Sequence, residues 1–258
     1  MWKQLQTISE PKSLRDPLLI VCLSTSNPEY KLLYSQAKEL GRYLLRKLEF
    51  EKISSLYSSA LPPEVKVSNL GVANLVSNSF YVYHGEVRDF VLLAGHSSPS
   101  DDQYEYGDTV LSYAQKLGVK EIVSFGARWT ENVAPPLDRA RITGFANDEE
   151  GTKRLKEAGI QIQRNEPAFY FANIVVSQSK FYGMRGYKIS VDHGEPEPNP
   201  KSLIAFLGIL DRMFGLKVDD MELYAQAREL DETMRKAAVE GINNDDGQKD
   251  SQNDDIYR

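Results

Sequence analysis

Apolar runs of strand length alternate along this chain with segments whose apolar residues recur at helical spacing, and that alternation points to a sheet covered by helices. The clearest run, Leu18-Leu19-Ile20-Val21-Cys22-Leu23, reads as a buried strand. Asn27-Pro28 follows as a helix N-cap with proline at the first helical position, where its missing N–H costs nothing. Leu33, Ala37, Leu40 and Leu44 then share one helical face.

Residues 80–83 and 87–93 are strand-like runs around His84-Gly85-Glu86, which predicts a hairpin with glycine relieving the turn. Asp101 or Asp102 is placed to cap a helix through Leu117, closed by Gly118, and residues 121–125 follow as a short buried strand. Residues 141–146 look extended, and Asn147 with Glu150 three positions later predicts a capping box opening a helix that ends near Gly159. Another helix is expected over 172–181. Asn199-Pro200 repeats the cap-and-proline device, with Leu203, Phe206, Leu207, Leu210 and Phe214 facing inward before Gly215. Asp219 or Asp220 caps a last helix whose face is Leu223, Ala227, Leu230, Met234 and Ala237 before Gly241. The domain expectation is therefore one α/β domain over 1–240 and a disordered acidic tail over 241–258.

Composition limits the partners. A hydrophobic fraction of 41% and a charged fraction of 26% are ordinary for a globular chain that buries a core. A net charge of -6 with no dense Lys/Arg block argues against nucleic acid, whose binding rests on neutralising phosphates, and against anionic membranes. No stretch approaches the roughly 20 apolar residues of a membrane span, and Met1-Trp2-Lys3-Gln4 lacks a signal-peptide core, so a cytoplasmic location is expected. Cys22 is the only cysteine and lies in an apolar run, where it reads as an inert buried thiol. Three histidines without H-x-x-x-H spacing predict no metal site, and no cofactor is expected.

The phosphate-binding G-x-x-x-x-G-K-[ST] and G-x-G-x-x-G patterns are absent, as is the hydrolase elbow G-x-S-x-G. Two loops following strands form a candidate crevice. In Gly95-His96-Ser97-Ser98-Pro99-Ser100, His96 is a candidate general base and the Ser97 and Ser98 amides a candidate anion cradle, beside a plainer reading in which the polar residues satisfy backbone groups. In Gly126-Ala127-Arg128-Trp129-Thr130-Glu131, Arg128 is placed to meet an anion or to pair with a carboxylate. An enzyme of nucleosidase or phosphorylase type using both loops is the alternative to a non-catalytic protein.

After Gly241 the character changes. Residues 243–255 hold five aspartates and no apolar residue, which predicts disorder, and the sequence then closes on Ile256-Tyr257-Arg258. A terminal carboxylate, an isoleucine for a small pocket and a rigid tyrosine make a self-contained recognition element.

The body resembles the proteasome assembly chaperone family, in particular its archaeal members. The likeness rests on Leu92-Leu93-Ala94-Gly95 with Pro99 before a helix, on Leu117-Gly118-Val119 leading into Ile122-Val123-Ser124-Phe125-Gly126-Ala127, and on Ile142-Thr143-Gly144-Phe145-Ala146-Asn147. Ile256-Tyr257-Arg258 looks like the hydrophobic-tyrosine-any-residue motif by which proteasome activators and some assembly chaperones engage pockets between α-subunits. The resemblance implies a three-layer α/β/α sandwich with a mixed, mostly parallel sheet, similar to the nucleoside phosphorylase/hydrolase class. It also implies homo-oligomerisation, the proteasome α-subunits or α-ring as partners, and ATP-independent, non-enzymatic help to proteasome assembly.

Overall fold

The computed structural model describes residues 1–24, 36–129, 141–165, 167–193 and 199–250, with backbone only at 128, 129, 193 and 237–250. In chain order the elements are β1 (Lys3–Thr7), β2 (Leu18–Cys22), α1 (Gln36–Lys47), β3 (Glu51–Ser58), β4 (Val65–Val67), β5 (Ala73–Leu75), β6 (Asn78–His84), β7 (Asp89–Gly95) and α2 (Gln103–Lys116). There follow β8 (Glu121–Trp129), β9 (Ile142–Ala146), α3 (Glu149–Glu157), β10 (Gln161–Ile162), α4 (Phe171–Gln178) with a 3₁₀ turn (Ser179–Tyr182), β11 (Arg185–His193), α5 (Pro200–Phe214) and α6 (Met221–Asp250). The chain divides into two units, Met1–Asp219 and a second that begins at Asp220 and contains α6.

In the first unit a nine-stranded sheet runs β1-β3-β6-β7-β2-β8-β11-β9-β10. Its centre, β7-β2-β8-β11, is parallel, while β1-β3-β6-β7 and the β11-β9 pair are antiparallel, so the sheet is mixed as the sequence led us to expect. Every residue of β2 is buried, as a strand covered on both faces must be. Leu19 and Val21 turn one way, into a core with Tyr106, Val110 and Leu111 of α2 and Phe171 and Val175 of α4. On the other face Gly41 of α1 lies against Cys22 and Ala94, and Phe125 of β8 meets Phe206 of α5 with ring centroids 4.9 Å apart. The result is a three-layer α/β/α sandwich.

Local sequence signals explain the element ends, with three corrections. Asn199 caps α5 as expected, accepting from the Lys201 N–H at 2.9 Å with proline in the first turn. Asp102 occupies the N-cap position of α2, but in a left-handed conformation with no side-chain cap bond, and only its carbonyl takes the Tyr106 N–H. The cap of α3 is Asp148, accepting from Gly151 N–H at 2.6 Å, and not Asn147. Asn147 is committed elsewhere: its amide donates to Ser179 Oγ and the Met184 carbonyl, each at 2.9 Å, and accepts from Gly186 N–H, tying β9 to the α4–β11 connection. Helix α6 continues through Gly241 and Gly247 to Asp250, because each interior glycine costs only about 1 kcal/mol relative to alanine and good helix formers precede them. The Asn27-Pro28 cap and Leu33 lie outside the described residues, as do residues 251–258.

A charge cluster locks the N-terminal end of the parallel strands. Glu121 of β8 accepts from Arg88 Nη1 at 2.8 Å, from the Tyr187 hydroxyl of β11 at 2.9 Å, and from Arg154 of α3. Burial alone would push the Glu121 carboxyl up, but hydrogen bonds from Arg88 and the Arg154 charge outweigh it and hold the group below its ordinary value.

Candidate functional site

In open α/β sheets ligands settle at the C-terminal ends of the strands, where neighbouring crossovers diverge. Strand register brings Gly95 of β7 and Gly126 of β8 to that end, on either side of β2, since Cys22 pairs with Ala94 and Val21 with Ser124. The loop after β7 is tied down by its own polar groups. The His96 N–H donates to the Ser77 carbonyl at 3.2 Å, Ser98 N–H to Ser24 at 2.7 Å, and Ser100 N–H to Ala60 at 2.8 Å. Lys38 donates to the His96 carbonyl at 2.8 Å, and Asn78 Nδ2 donates at 2.8 Å both to the Ser97 carbonyl and to the Tyr106 hydroxyl. Gly95 is required by close approach, because a methyl group there would sit 2.6 Å from Asn78 Cα. His96 Nε2 lies 3.0 Å from Glu64 Oε2, and burial holds the imidazole below its ordinary value against the pull of that carboxylate. His96 Nδ1 and Ser97 Oγ are buried without a hydrogen-bond partner. The expected loop from Gly126 is instead the continuation of β8 to Trp129, held by β11, in which Arg128 pairs through its backbone with Asp192. Ile256, Tyr257 and Arg258 lie outside the described residues.

The sequence reading missed two features. One is Lys188, buried in β11 beside Gly126. Its signal was the period-two alternation Tyr187-Lys188-Ile189-Ser190-Val191, which marks a strand with a polar face; here Lys188 of that face is buried and Ser190 half-buried. The other is the β4–β5 hairpin, paired Val65↔Leu75 and Val67↔Ala73. Val65, Val67, Leu70, Val72 and Leu75 are all more than half exposed. Single apolar residues on a surface need no explanation, but five within eleven positions of one hairpin form the kind of patch that marks contact with another macromolecule. Among the described residues no cluster of three or more His, Cys, Asp or Glu side chains is placed to hold a metal ion, and no helix is long and apolar enough to cross a membrane.

Solved structures share this architecture. A protein of Pyrococcus furiosus, PbaB, described as an archaeal proteasome activator, superposes with a TM-score of 0.76 at 20% identity, covering 92% of this chain and 98% of that one. The Mycobacterium tuberculosis proteasome-assembly chaperone homologue Rv2125 matches with a TM-score of 0.71 at 19% identity, covering 85% and 94%. Pyrococcus furiosus PbaA, an archaeal homologue of proteasome-assembly chaperone, covers 99% of both chains with a TM-score of 0.68 at 16% identity. At such identities the likeness is one of fold. No curated protein matches the sequence significantly. The family model described as PAC2 family matches residues 37–238, from the first described turn of α1 into α6 and so across β7, β8 and β11 of the sheet centre, and the chain belongs to the PAC2 family.

Proposed function

We propose that this protein is a cytoplasmic, ATP-independent, non-enzymatic proteasome assembly factor that binds proteasome α-subunits or the α-ring. The observation that carries the reading is full-length correspondence of fold, 92% of this chain on 98% of a protein described as a proteasome activator, within a family match over 37–238. The exposed apolar hairpin supports a role in protein contact, and the tethering of the loop after β7 by its own backbone bonds supports a scaffold rather than a catalytic role for that loop.

Docking is assigned to Ile256-Tyr257-Arg258, carried on an aspartate-rich stretch that keeps the segment soluble and favours a basic approach surface. A three-residue anchor binds weakly alone, but several copies on one homo-oligomer raise avidity by about 10² to 10⁴ when all can engage together. Tyr257→Ala should weaken binding to isolated α-rings at least tenfold, the loss of a buried tyrosine anchor of about 2 kcal/mol, as read by surface plasmon resonance. Arg258→Ala should cost less than threefold, because the terminal carboxylate survives. Equal affinity for wild type and Tyr257→Ala would remove the tail from the mechanism.

A further inference from the structure

The least expected side chain in the molecule is a lysine inside a central strand. Lys188 is 5% exposed, and a lysine removed from water is ordinarily held by a carboxylate. Here its single hydrogen bond is a long one, 3.3 Å to the carbonyl of Ile189, and it forms no ion pair among the described residues. The amine lies over Gly126: a methyl group at that position would stand 2.5 Å from Nζ, so the glycine makes the room the lysine occupies. The Ser190 hydroxyl shares this face of the strand, close to Gly126.

This amine borders a cavity of about 260 Å³ beyond the C-terminal end of β2, beside the middle of β8 and β11. Leu23, Pro167, Ala168 and Ala172 contribute apolar wall, Ser190 and Asn173 contribute polar groups, and Phe169, largely exposed, stands at the rim. Tyr170, another lining residue, is held at φ 73°, a conformation that bulky L-residues avoid and that clusters at ligand sites. The volume falls just below the range of about 300–1,000 Å³ for drug-sized sites, so the occupant is a small molecule. One cationic donor in an apolar wall matches a monoanion; a phosphate dianion would be left short of donors.

We propose that this cavity is a binding site for a small organic carboxylate, its carboxyl group paired with the Lys188 amine and its apolar body laid against Leu23, Pro167, Ala168 and Ala172. The site is independent of proteasome binding. Charge accounting agrees with it. Burial lowers the lysine to about 7, a carboxylate restores the protonated form, and binding therefore takes up a proton near neutral pH. Among the described residues the other titratable groups nearby are the Tyr170 hydroxyl at the start of α4 and the Cys22 thiol of β2, and burial pushes the thiol up, so it stays neutral.

The test is isothermal titration of the full chain with butyrate and benzoate, against butyramide and benzamide, at pH 8 in two buffers of different ionisation enthalpy. The carboxylates should bind with net proton uptake, and their affinity should fall about tenfold per unit as pH rises from 7 to 10. The amides should bind at least tenfold more weakly. Lys188→Met should abolish the preference for the acid. Gly126→Ala should do the same while retaining the lysine, since its methyl group displaces the flexible end of that side chain. Equal binding of acid and amide, undiminished binding by Lys188→Met, or no binding of either acid to the wild type would overturn the proposal.

Discussion

Replacing Lys188 with methionine should stabilise the protein at pH 7 by on the order of 4 kcal/mol, raising Tm by roughly 10 °C. A lysine in the unfolded chain ionises near 10.5, whereas in the folded protein desolvation by burial brings it to about 7. Above about pH 10.5 the amine is neutral in both states and adds no penalty. As pH falls from there towards 7 the unfolded chain takes up a proton that the folded chain does not, so the wild type loses stability; below 7 the penalty is complete and constant. The advantage of Lys188→Met should therefore be largest at and below pH 7 and should vanish towards pH 10.5. Paired thermal or urea unfolding of the two proteins across that range isolates this group from every other titration. A methionine variant less stable than wild type at pH 7 would mean that the amine has a strong partner in the folded state.

At the opposite end of the strands the same physics gives the opposite sign. Glu121→Ala should destabilise by about 3 kcal/mol, because it removes the carboxylate shared by the half-buried Arg154 and the buried Arg88, leaving Arg88 only the exposed Asp16. Glu121→Gln, whose one carbonyl oxygen still accepts from Arg154 and the Tyr187 hydroxyl while its NH2 replaces the oxygen that meets Arg88, should lose less. The folded carboxyl is held below its ordinary value, so the stability it contributes is present above about pH 4.3 and is lost as pH falls through that lower folded value. Acid unfolding of Glu121→Gln should accordingly be shallower than that of the wild type. An alanine variant as stable as the parent would show the cluster to be fully solvated.

How far the fold could be read depended on whether each strand announced itself by hydrophobicity. The continuous apolar runs of β2 and β7 were legible because both faces of these strands are buried, and β6 because Phe80 and Val82 alternate with half-buried tyrosines. The Asn199-Pro200 signal was legible because capping is chemistry local to three residues. β11 was not assigned, since Lys188, Ser190 and Asp192 give it the look of a half-solvated segment, yet it lies between β8 and β9 with Lys188 and Asp192 buried and Ser190 half-buried. The β4–β5 hairpin escaped for the converse reason: its strands are three residues long, and their valines and leucine point to solvent, where no core periodicity constrains them. Asn147 was read as a cap because local spacing cannot reveal that Ser179, Met184 and Gly186 fold back to meet it.

For the candidate site the lesson is similar. Gly95 and Gly126 were picked out as loop glycines after strands, and both do lie at the ligand-binding end of the sheet, but each is glycine because something crowds it: Asn78 in one case and the Lys188 amine in the other. A single sequence shows the glycine and not the neighbour.

The central claim is that this PAC2 family member recognises proteasome subunits. Sedimentation velocity of the full-length protein mixed with purified α-subunits from the same organism tests it without reference to any one surface. The account predicts a new, faster-sedimenting complex containing both proteins. Independent sedimentation of the two at concentrations well above ten micromolar, together with no proteasome subunit recovered when the protein is drawn from native extract, would contradict it.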